Sequence, residues 1–372
     1  MELDGVGKPA RILMLLSDAF GGFGGIAQYN RDVMHALAEL DEVGAIVALP
    51  RLVPEAVGPL PAKLHFETRA AGSSMAFIWQ ALRHGLFGPK PDMILCAHVN
   101  LAAIGWLCAR LRGVPFALLV FGIDVWQAPP SRLAAWATRR CDFVYSISRV
   151  TLDRMRRWCP VDDARTAILP NAIQLSDFGV GERPADLIQK YDLAGRKVLM
   201  TFGRLHSKEC AKGFDEMLNI LPRLVRHDPA ITYVIAGTGD DRERLERKVA
   251  DLGMGGHVRF TGRVEEARKA DHYRLADLYV MPSRGEGFGF VIIEALACGV
   301  PVVASSMDGG REAVLDGALG PIVDPDDPDA LYDAVIAGLD APHGVPAGLN
   351  YFDWPNFRAR MGAAIADVLA LR

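Results

Sequence analysis

The sequence lacks the features that mark several large protein classes. Its six cysteines are scattered and include no Cys-x-x-Cys pair, so we expect reduced, buried thiols in a cytoplasmic protein, not a disulfide framework or a zinc site. No run of about 20 apolar residues could span a membrane, and the first apolar run, Ile12–Leu16, is too short for a signal segment. A formal charge of −4 argues against general nucleic-acid binding.

What the sequence does have is enough chain for two α/β domains. Its 372 residues exceed an ordinary single domain, and half of them are hydrophobic. Short apolar runs alternate with helical periodicity, which predicts parallel sheets covered by helices on both faces. The pattern closes at Pro170-Asn171 and then restarts, so we predict domains at 1–171 and 172–350. The tail, 351–372, is predicted to be helical. One possible position for this helix is against the N-terminal domain.

The predicted strands are short and evenly spread over both halves. Those of the first half are Ile12–Leu16, Ala45–Leu49, Met93–Cys96, Phe116–Val120 and Phe143–Ser146, and those of the second are Val198–Phe202, Tyr233–Ala236, Val258–Phe260, Leu278–Met281 and Val302–Ala304.

The segment 284–305 carries the most informative motif. Glu286 and Glu294 lie eight residues apart, and the glycine-containing loop 287–289 between them permits close approach to a ligand. A helix predicted at Phe290–Ala297 would present free N–H groups that favour a diphosphate. Glu294 lies one to two turns into that helix, where it can face a ribose. The alternative is that these are a loop carboxylate and a helix-surface carboxylate without a ligand.

This motif resembles the Glu-x7-Glu motif of the retaining family 4 glycosyltransferases, and the likeness extends over nearly the whole chain. The resemblance implies the GT-B fold, two Rossmann-like domains facing each other across a cleft. It also implies that Glu286 contacts hydroxyls of the donor sugar and that Glu294 contacts the nucleotide ribose. The backbone at Phe288, Gly289 and Phe290 would approach the sugar and the diphosphate.

The same resemblance assigns cations to the segment 203–213, which directly follows a predicted strand. Arg204 and Lys212 would bind the donor diphosphate. Two fixed cations stabilise a leaving group that gains negative charge in the transition state, so no metal and no further cofactor are expected. Lys208 competes with Lys212 for this role, and the flanking Gly213-Phe214 favours Lys212.

The glycine loop 20–29 admits two interpretations. The G-x-G-x-x-A pattern at 22–27 is a weak dinucleotide-binding signal, which needs a carboxylate after the second strand. That strand ends in Pro50-Arg51, so an NAD-dependent dehydrogenase is the weakest of the functions considered. The resemblance instead implies that Gly24 and Gly25 let the loop pass the diphosphate and the acceptor.

Candidate residues on the acceptor side follow two strands of the first half. Phe121 stands where many family members carry a His that contacts the donor sugar, and the neighbouring Asp124 is predicted to take part in catalysis instead. His98 follows the preceding predicted strand, Met93–Cys96. Either it lies at the cleft edge or it caps the helix that comes next.

The remaining candidates belong to the second half. By the resemblance, Gly237 opens toward the cleft, and Arg263 and Val264 pass the nucleotide base. Arg263 is alternatively an ordinary surface arginine. The run 324–329 holds several carboxylates but also two prolines, so we predict a turn and a helix N-cap there, not a metal site.

These observations predict a retaining hexosyltransferase. It would move a hexose from a UDP- or GDP-sugar to a hydroxyl of a saccharide or polyprenyl-linked saccharide, in bacterial surface polysaccharide or glycolipid assembly. A sugar-nucleotide epimerase, a phosphorylase and a non-catalytic sugar-nucleotide-binding protein are the alternatives. The stretch Ser131–Arg157 holds seven arginines against two aspartates. It is either a solvated helix face or a surface for peripheral contact with an anionic membrane on its inner side.

Overall fold

The computed structural model describes residues 8–207 and 212–370, which form two compact α/β units. Unit 1 runs to Ala172 and takes in the final segment from Trp354, and unit 2 is Ile173–Asp353. Each unit has its own parallel sheet.

Unit 1 alternates strands and helices along the chain, and all its strand pairs are parallel. Its strands are β1 (Ala10–Leu16), β2 (Val43–Pro50), β3 (Leu64–Phe66), β4 (Met93–Ala97), β5 (Phe116–Val120), β6 (Phe143–Ser146) and β7 (Thr166–Ile168). Its helices are α1 (Gly25–Glu39), α2 (Ser74–Leu82), α3 (Ala102–Arg112), α4 (Arg132–Thr138) and α5 (Arg149–Arg156), together with the terminal helix Trp354–Leu369.

Unit 2 repeats the arrangement with a smaller sheet. Its strands are β8 (Lys197–Phe202), β9 (Ile231–Ala236), β10 (Val258–Gly262), β11 (Leu278–Met281), β12 (Val302–Ser305) and β13 (Ile322–Val323). Its helices are α6 (Ala185–Tyr191), α7 (Phe214–His227), α8 (Arg242–Asp251), α9 (Lys269–Tyr273), α10 (Phe290–Ala297), α11 (Gly310–Ala313) and α12 (Pro328–Leu339). The terminal helix of unit 1 is therefore α13.

The strand orders make both sheets doubly wound. Over the described residues the order is β3-β2-β1-β4-β5-β6-β7 in unit 1 and β10-β9-β8-β11-β12-β13 in unit 2. The direction of winding reverses between β1 and β4 in one sheet and between β8 and β11 in the other. Ligands of such sheets bind outside the carboxyl ends of the strands at that reversal. The loops after β8 and β11 are thus where a ligand of unit 2 is expected.

The central strands are buried because their side chains are apolar on both faces. Every residue of β4, β5, β9 and β11 is buried, as parallel strands covered by helices on each side require. The predicted strands all exist, within three residues at either end. Three edge strands, β3, β7 and β13, were not predicted, because strands of only two or three residues leave no recognisable apolar run in the sequence.

The terminal helix α13 belongs to the core of unit 1. The Tyr145 hydroxyl donates to the Ala364 carbonyl at 2.7 Å, and Phe357 packs edge-on against Tyr29, with ring centroids 5.8 Å apart. The five described cysteines are unpaired and buried, and Cys210 lies outside the described residues. No helix within 8–207 or 212–370 has the length and apolar character needed to cross a bilayer.

Candidate active site

The loop after β8 is held against the loop after β9 at the carboxyl edge of the unit 2 sheet. The Leu205 amide donates to the Thr238 carbonyl at 3.0 Å, and the Ser207 hydroxyl donates to Asp240 Oδ2 at 2.7 Å. These bonds continue the pairing of the two strands beyond their ends. Arg204 therefore leaves β8 from a fixed backbone and is exposed.

Two glycines permit this close contact. A Cβ on Gly237, whose φ is +142°, would lie 1.9 Å from the Gly203 carbonyl oxygen, and a Cβ on Gly239 would lie 1.8 Å from the Leu205 carbonyl oxygen. Both contacts are with backbone atoms, so a side chain at either position would force the loops apart. The contribution of Gly237 that the structure shows is therefore steric.

Lys212 and Glu286 form an ion pair at the reversal of the unit 2 sheet. The Lys212 ammonium donates to Glu286 Oε1, and both side chains are largely buried, with 18% and 15% exposure. Gly213 makes the approach possible, because its φ is +85° and a Cβ there would lie 2.7 Å from Pro282 Cδ. The competing Lys208 lies outside the described residues.

The loop that carries Glu286 is fixed by Asp308, which follows β12. Asp308 Oδ2 accepts from the Glu286 amide at 2.8 Å and from the Ser283 hydroxyl at 2.7 Å, while Oδ1 accepts from the Gly310 amide at 3.0 Å. The Gly309 amide donates to the Glu286 carbonyl at 2.9 Å. Burial raises the pKa of Asp308 to about 6. Asp308 is not among the site residues predicted from the sequence.

Glu294 lies on α10 and is 2% exposed. Its Oε1 accepts from the Lys269 ammonium at 2.7 Å, and its Oε2 accepts from the Tyr273 hydroxyl at 2.6 Å. The two donors are one helical turn apart on α9. A carboxylate has about four acceptor positions, so these two donors use half of the acceptor positions of Glu294. One signal for such partners is present in the sequence, because a carboxylate on an otherwise apolar helix must be compensated when it is buried.

The loop between the two glutamates packs into unit 2 through an aromatic side chain and ends at a glycine of positive φ. Phe288 is buried and packs edge-on against Phe352, with ring centroids 5.2 Å apart. Gly289 precedes α10 with a φ of +100°. Phe290 begins the helix and is half-buried.

The other residues predicted to face the nucleotide lie further along the sheet. Arg263 and Val264 follow β10, two strands away from β8, and Arg263 is exposed. Both predicted cations follow β8. Arg204 lies two residues after the end of the strand, and Lys212, which lies further along the chain, contacts Glu286.

Unit 1 carries its candidate residues at the carboxyl ends of β1, β4 and β5. Gly24 and Gly25 are exposed, and Gly24 precedes α1 with a φ of +85°. His98 Nδ1 accepts from the Asn100 amide at 3.1 Å and so caps the turn leading into α3. Of the two roles predicted for His98, the structure therefore shows the helix cap.

Asp124 lies in the loop after β5. Its Oδ1 accepts from the Phe121 amide at 3.2 Å, and its buried Oδ2 has no hydrogen-bond partner within the described part of the chain. Burial raises the pKa of Asp124 to about 7, so the carboxyl group can gain or lose a proton near neutral pH.

Several arginines of the stretch Ser131–Arg157 are engaged within unit 1. Arg154 stacks over Trp126 at 3.8 Å from the ring centroid, and Arg156 forms ion pairs with Asp153 and Asp163.

In unit 2, Asp327 caps α12 by accepting from the amides of Asp329 and Ala330, as predicted. Groups of three or more His, Cys, Asp or Glu placed to hold a metal ion do not occur in 8–207 or 212–370.

Comparison with known proteins identifies the family. The Glycosyltransferase Family 4 model matches residues 23–177, and the model for Glycosyl transferases group 1 matches residues 196–341. The GDP-mannose-dependent α-(1-6)-phosphatidylinositol monomannoside mannosyltransferase of Mycolicibacterium smegmatis is 33% identical over 298 residues, 74% of this chain and 75% of that protein. The chain belongs to the family 4 glycosyltransferases.

Two further similarities bear on this glycosyltransferase. The phosphatidyl-myo-inositol mannosyltransferase of the same organism is 38% identical over 197 residues, but the match spans only 52% of this chain and 48% of that protein. The crystal structure of HepE from Anabaena with UDP and glucose superposes with a TM-score of 0.74 at 19% identity, covering 96% of this chain and 99% of the other. The enzyme thus has the GT-B fold, with two Rossmann-like units.

Proposed function

We propose that this glycosyltransferase transfers mannose from GDP-mannose to a hydroxyl of a lipid-linked polyol or saccharide, with retention of the anomeric configuration. The choice of donor and acceptor is supported by the mannosyltransferase of Mycolicibacterium smegmatis, whose name specifies GDP-mannose and a phosphatidylinositol mannoside. The place of the donor is supported by the reversal of the unit 2 sheet, where Lys212 and Glu286 meet.

The Lys212–Glu286 pair is the observation that carries the proposal. A cation and a carboxylate lie side by side, and each is largely buried. The cation suits a diphosphate oxygen, and the carboxylate suits the hydroxyls of the sugar that the diphosphate carries. Since a nucleotide sugar bears both groups next to each other, one ligand uses both side chains. Glu294, with two acceptor positions left, is the proposed partner of the ribose.

The proposed reaction breaks the bond between the anomeric carbon and the diphosphate oxygen. The acceptor hydroxyl attacks from the same face, and its proton passes to the departing diphosphate, which leaves as protonated GDP. Arg204 and Lys212 stabilise the charge that develops on the diphosphate, and Glu286 orients the sugar. Because these two cations supply the positive charge, we propose that the reaction needs no metal ion.

A transfer assay with matched variants tests this proposal. Glu286→Gln, Arg204→Ala and Lys212→Ala are each expected to lower kcat/KM by about 100-fold or more, since each removes a group that acts on the transition state. Lys197 and Asp228 form an exposed ion pair at the opposite end of β8, 2.9 Å apart. Lys197→Ala and Asp228→Asn are therefore the controls and should retain wild-type rates.

The products decide between transfer and the other reactions. With GDP-mannose and a mannoside acceptor, NMR should show one new α-linkage and stoichiometric GDP, in the presence of a metal chelator. UDP-sugars should give lower rates than GDP-mannose. An epimerised sugar nucleotide, an inverted linkage, or wild-type activity in both Glu286→Gln and Arg204→Ala would refute the scheme.

A further inference from the structure

The outer faces of α2, α3 and α4 form one continuous surface on unit 1. The chain passes from β3 to β4, β5 and β6 in one direction across the sheet, so the connecting helices cover the same face. Their inward side chains, including Phe77, Cys108 and Ala137, share one core cluster. Trp106 of α3 packs edge-on against Trp136 of α4, with ring centroids 4.5 Å apart, which joins the two helices at the surface.

This surface, which we call the α2–α4 face, exposes large apolar side chains. Phe87, in the π-helical turn after α2, is 84% exposed, and Met75 of α2 is 76% exposed. Single exposed apolar side chains are ordinary, but a group on adjoining helices marks an interaction site. The principal members are Met75, Trp79, Phe87, Leu111, Leu133 and Trp136.

The charge around these side chains is mainly positive. Residues 68–141 contain eight lysines and arginines and two acidic residues, Asp92 and Asp124. Of the eight cations, Arg69 is ion-paired with Glu67, just before this segment, at 2.6 Å. Neither acid is an exposed counter-charge, because Asp92 is half-buried and accepts from the Arg11 amide at 2.7 Å, and the Asp124 carboxyl group is buried. Arg110 of α3 and Arg132 of α4 are exposed on the same helices as Leu111 and Leu133.

The cations and the apolar groups are interleaved. Arg83 lies over the exposed Trp79 ring at 5.6 Å, and Arg140 lies over Trp136 at 4.2 Å. A shallow, open depression on α4 is lined by Leu133 and Trp136 as well as by Arg132 and Arg139. Aromatic and aliphatic tips beside arginines are suited to the boundary between acyl chains and anionic headgroups, where each group finds its preferred surroundings.

We propose that the α2–α4 face binds the surface of an anionic lipid bilayer, with its apolar side chains inserted among the headgroups. This inference extends the proposed function. It depends on that function in one respect, namely that the acceptor is anchored to a lipid. The surface differs from the stretch Ser131–Arg157: it keeps α4 and Arg139-Arg140, adds α2 and α3, and leaves out α5, where Arg154 and Arg156 have partners within unit 1.

Vesicle sedimentation of the full chain, without donor or acceptor, tests the inference. The wild type should bind vesicles of three parts phosphatidylcholine to one part phosphatidylglycerol, should bind pure phosphatidylcholine at least about tenfold more weakly, and should be released by salt. The triple variant Phe87→Ser, Leu111→Ser, Leu133→Ser should lose about tenfold or more in partitioning, since three inserted side chains no longer favour the bilayer.

Charge reversal provides an independent variant on the same face. Arg110→Glu with Arg132→Glu should also lower binding by more than about tenfold, because each change removes an attraction and adds a repulsion. The matched controls are Leu52→Ser with Val180→Ser and Arg226→Glu with Arg247→Glu, all exposed positions outside the α2–α4 face. Both control pairs should bind like the wild type, and circular dichroism should show that all variants are folded.

Three results would overturn the inference. One is wild-type binding that does not depend on anionic lipid, and another is wild-type binding by either face variant. The third is a wild-type dimer that the triple variant converts to a monomer with no change in lipid binding, which would make the face a self-association surface. Transfer to a soluble methyl mannoside separates this proposal from the proposed function: face variants should keep that rate, whereas a wild type that binds vesicles but transfers nothing would refute the function alone.

Discussion

At the scale of single residues, the site depends on carboxylates with different tasks. Glu286 pairs with a largely buried lysine, and Glu294 is buried between an ammonium and a hydroxyl. Asp308 accepts from two backbone amides and a serine hydroxyl. Asp308 would not touch a ligand in this arrangement. It positions the Glu286 loop, and the hydrogen bonds that do so are strongest while its carboxyl group is ionised.

Donor binding should therefore weaken as the pH falls through about 6. The pKa of Asp308 is raised to about 6 by burial, so its carboxylate is ionised at pH 7.5 and becomes protonated below pH 6. Protonation turns one acceptor oxygen into a donor and removes the charge that holds the amides of Glu286 and Gly310. The measurement is the Kd for GDP-mannose between pH 5 and 8 by titration calorimetry.

The matched control for this titration is Asp277→Asn. Asp277 likewise accepts a backbone amide, from Val198 at 2.6 Å, but at the amino end of β8. Asp308→Asn should bind more weakly at pH 7.5 and lose the inflection near pH 6, whereas Asp277→Asn should keep it. An unchanged inflection in Asp308→Asn would assign it to another group.

The sequence allows candidate ligand-facing residues to be named, but not the residues that support them. Glu286, Glu294, Arg204 and Lys212 stand in a recognisable local pattern of glycines and charges. Asp308 acts on a loop 22 residues away, and Lys269 acts on a glutamate 25 residues away. Such partners are brought together only by the fold, so no spacing of residues in the sequence indicates them.

At the scale of elements, the site is a set of loops whose backbones touch at the ends of strands. A Cβ on Gly309 would lie 2.0 Å from the Gly287 carbonyl oxygen, so the loop after β12 packs directly on the loop before α10. The long central strands were predictable, since apolar runs in a parallel sheet are buried on both faces. The edge strands and these loop contacts were not, because they follow from the pairing of segments that are distant in sequence.

Replacement of Gly309 by alanine should damage the site and the stability of unit 2 together. The new methyl group meets backbone, not a flexible side chain, so the two loops must separate. We expect a loss of about 1–3 kcal/mol in the free energy of unfolding and about tenfold weaker binding of GDP-mannose, measured by urea denaturation and calorimetry.

The comparison variant is Gly255→Ala. A Cβ on Gly255 meets no atom within 4 Å, and its φ is not positive. This variant should match the wild type in both measurements. If Gly309→Ala did so as well, the packing of the two loops would not matter for the site.

At the scale of the whole molecule, the two units have the same doubly wound topology but differ in where their charged and exposed apolar side chains lie. Unit 2 concentrates its charged partners at the reversal of its sheet. Unit 1 holds Asp124 after β5, one strand beyond its own reversal, and carries the basic, apolar α2–α4 face on its helices. The architecture could be predicted from the alternation of strands and helices and from the family motif. The α2–α4 face could not, because it is assembled from three helices that the sequence separates by strands.

The central claim is that Lys212 binds the diphosphate and Glu286 binds the sugar of one donor molecule. Titration calorimetry with GDP and with GDP-mannose tests it directly. Lys212→Ala should weaken both ligands by a similar factor of about ten or more, whereas Glu286→Gln should leave GDP binding equal or tighter and remove the extra affinity contributed by mannose. Lys197→Ala should change neither. Equal losses for GDP and GDP-mannose in Glu286→Gln, or unaltered binding in Lys212→Ala, would contradict the account.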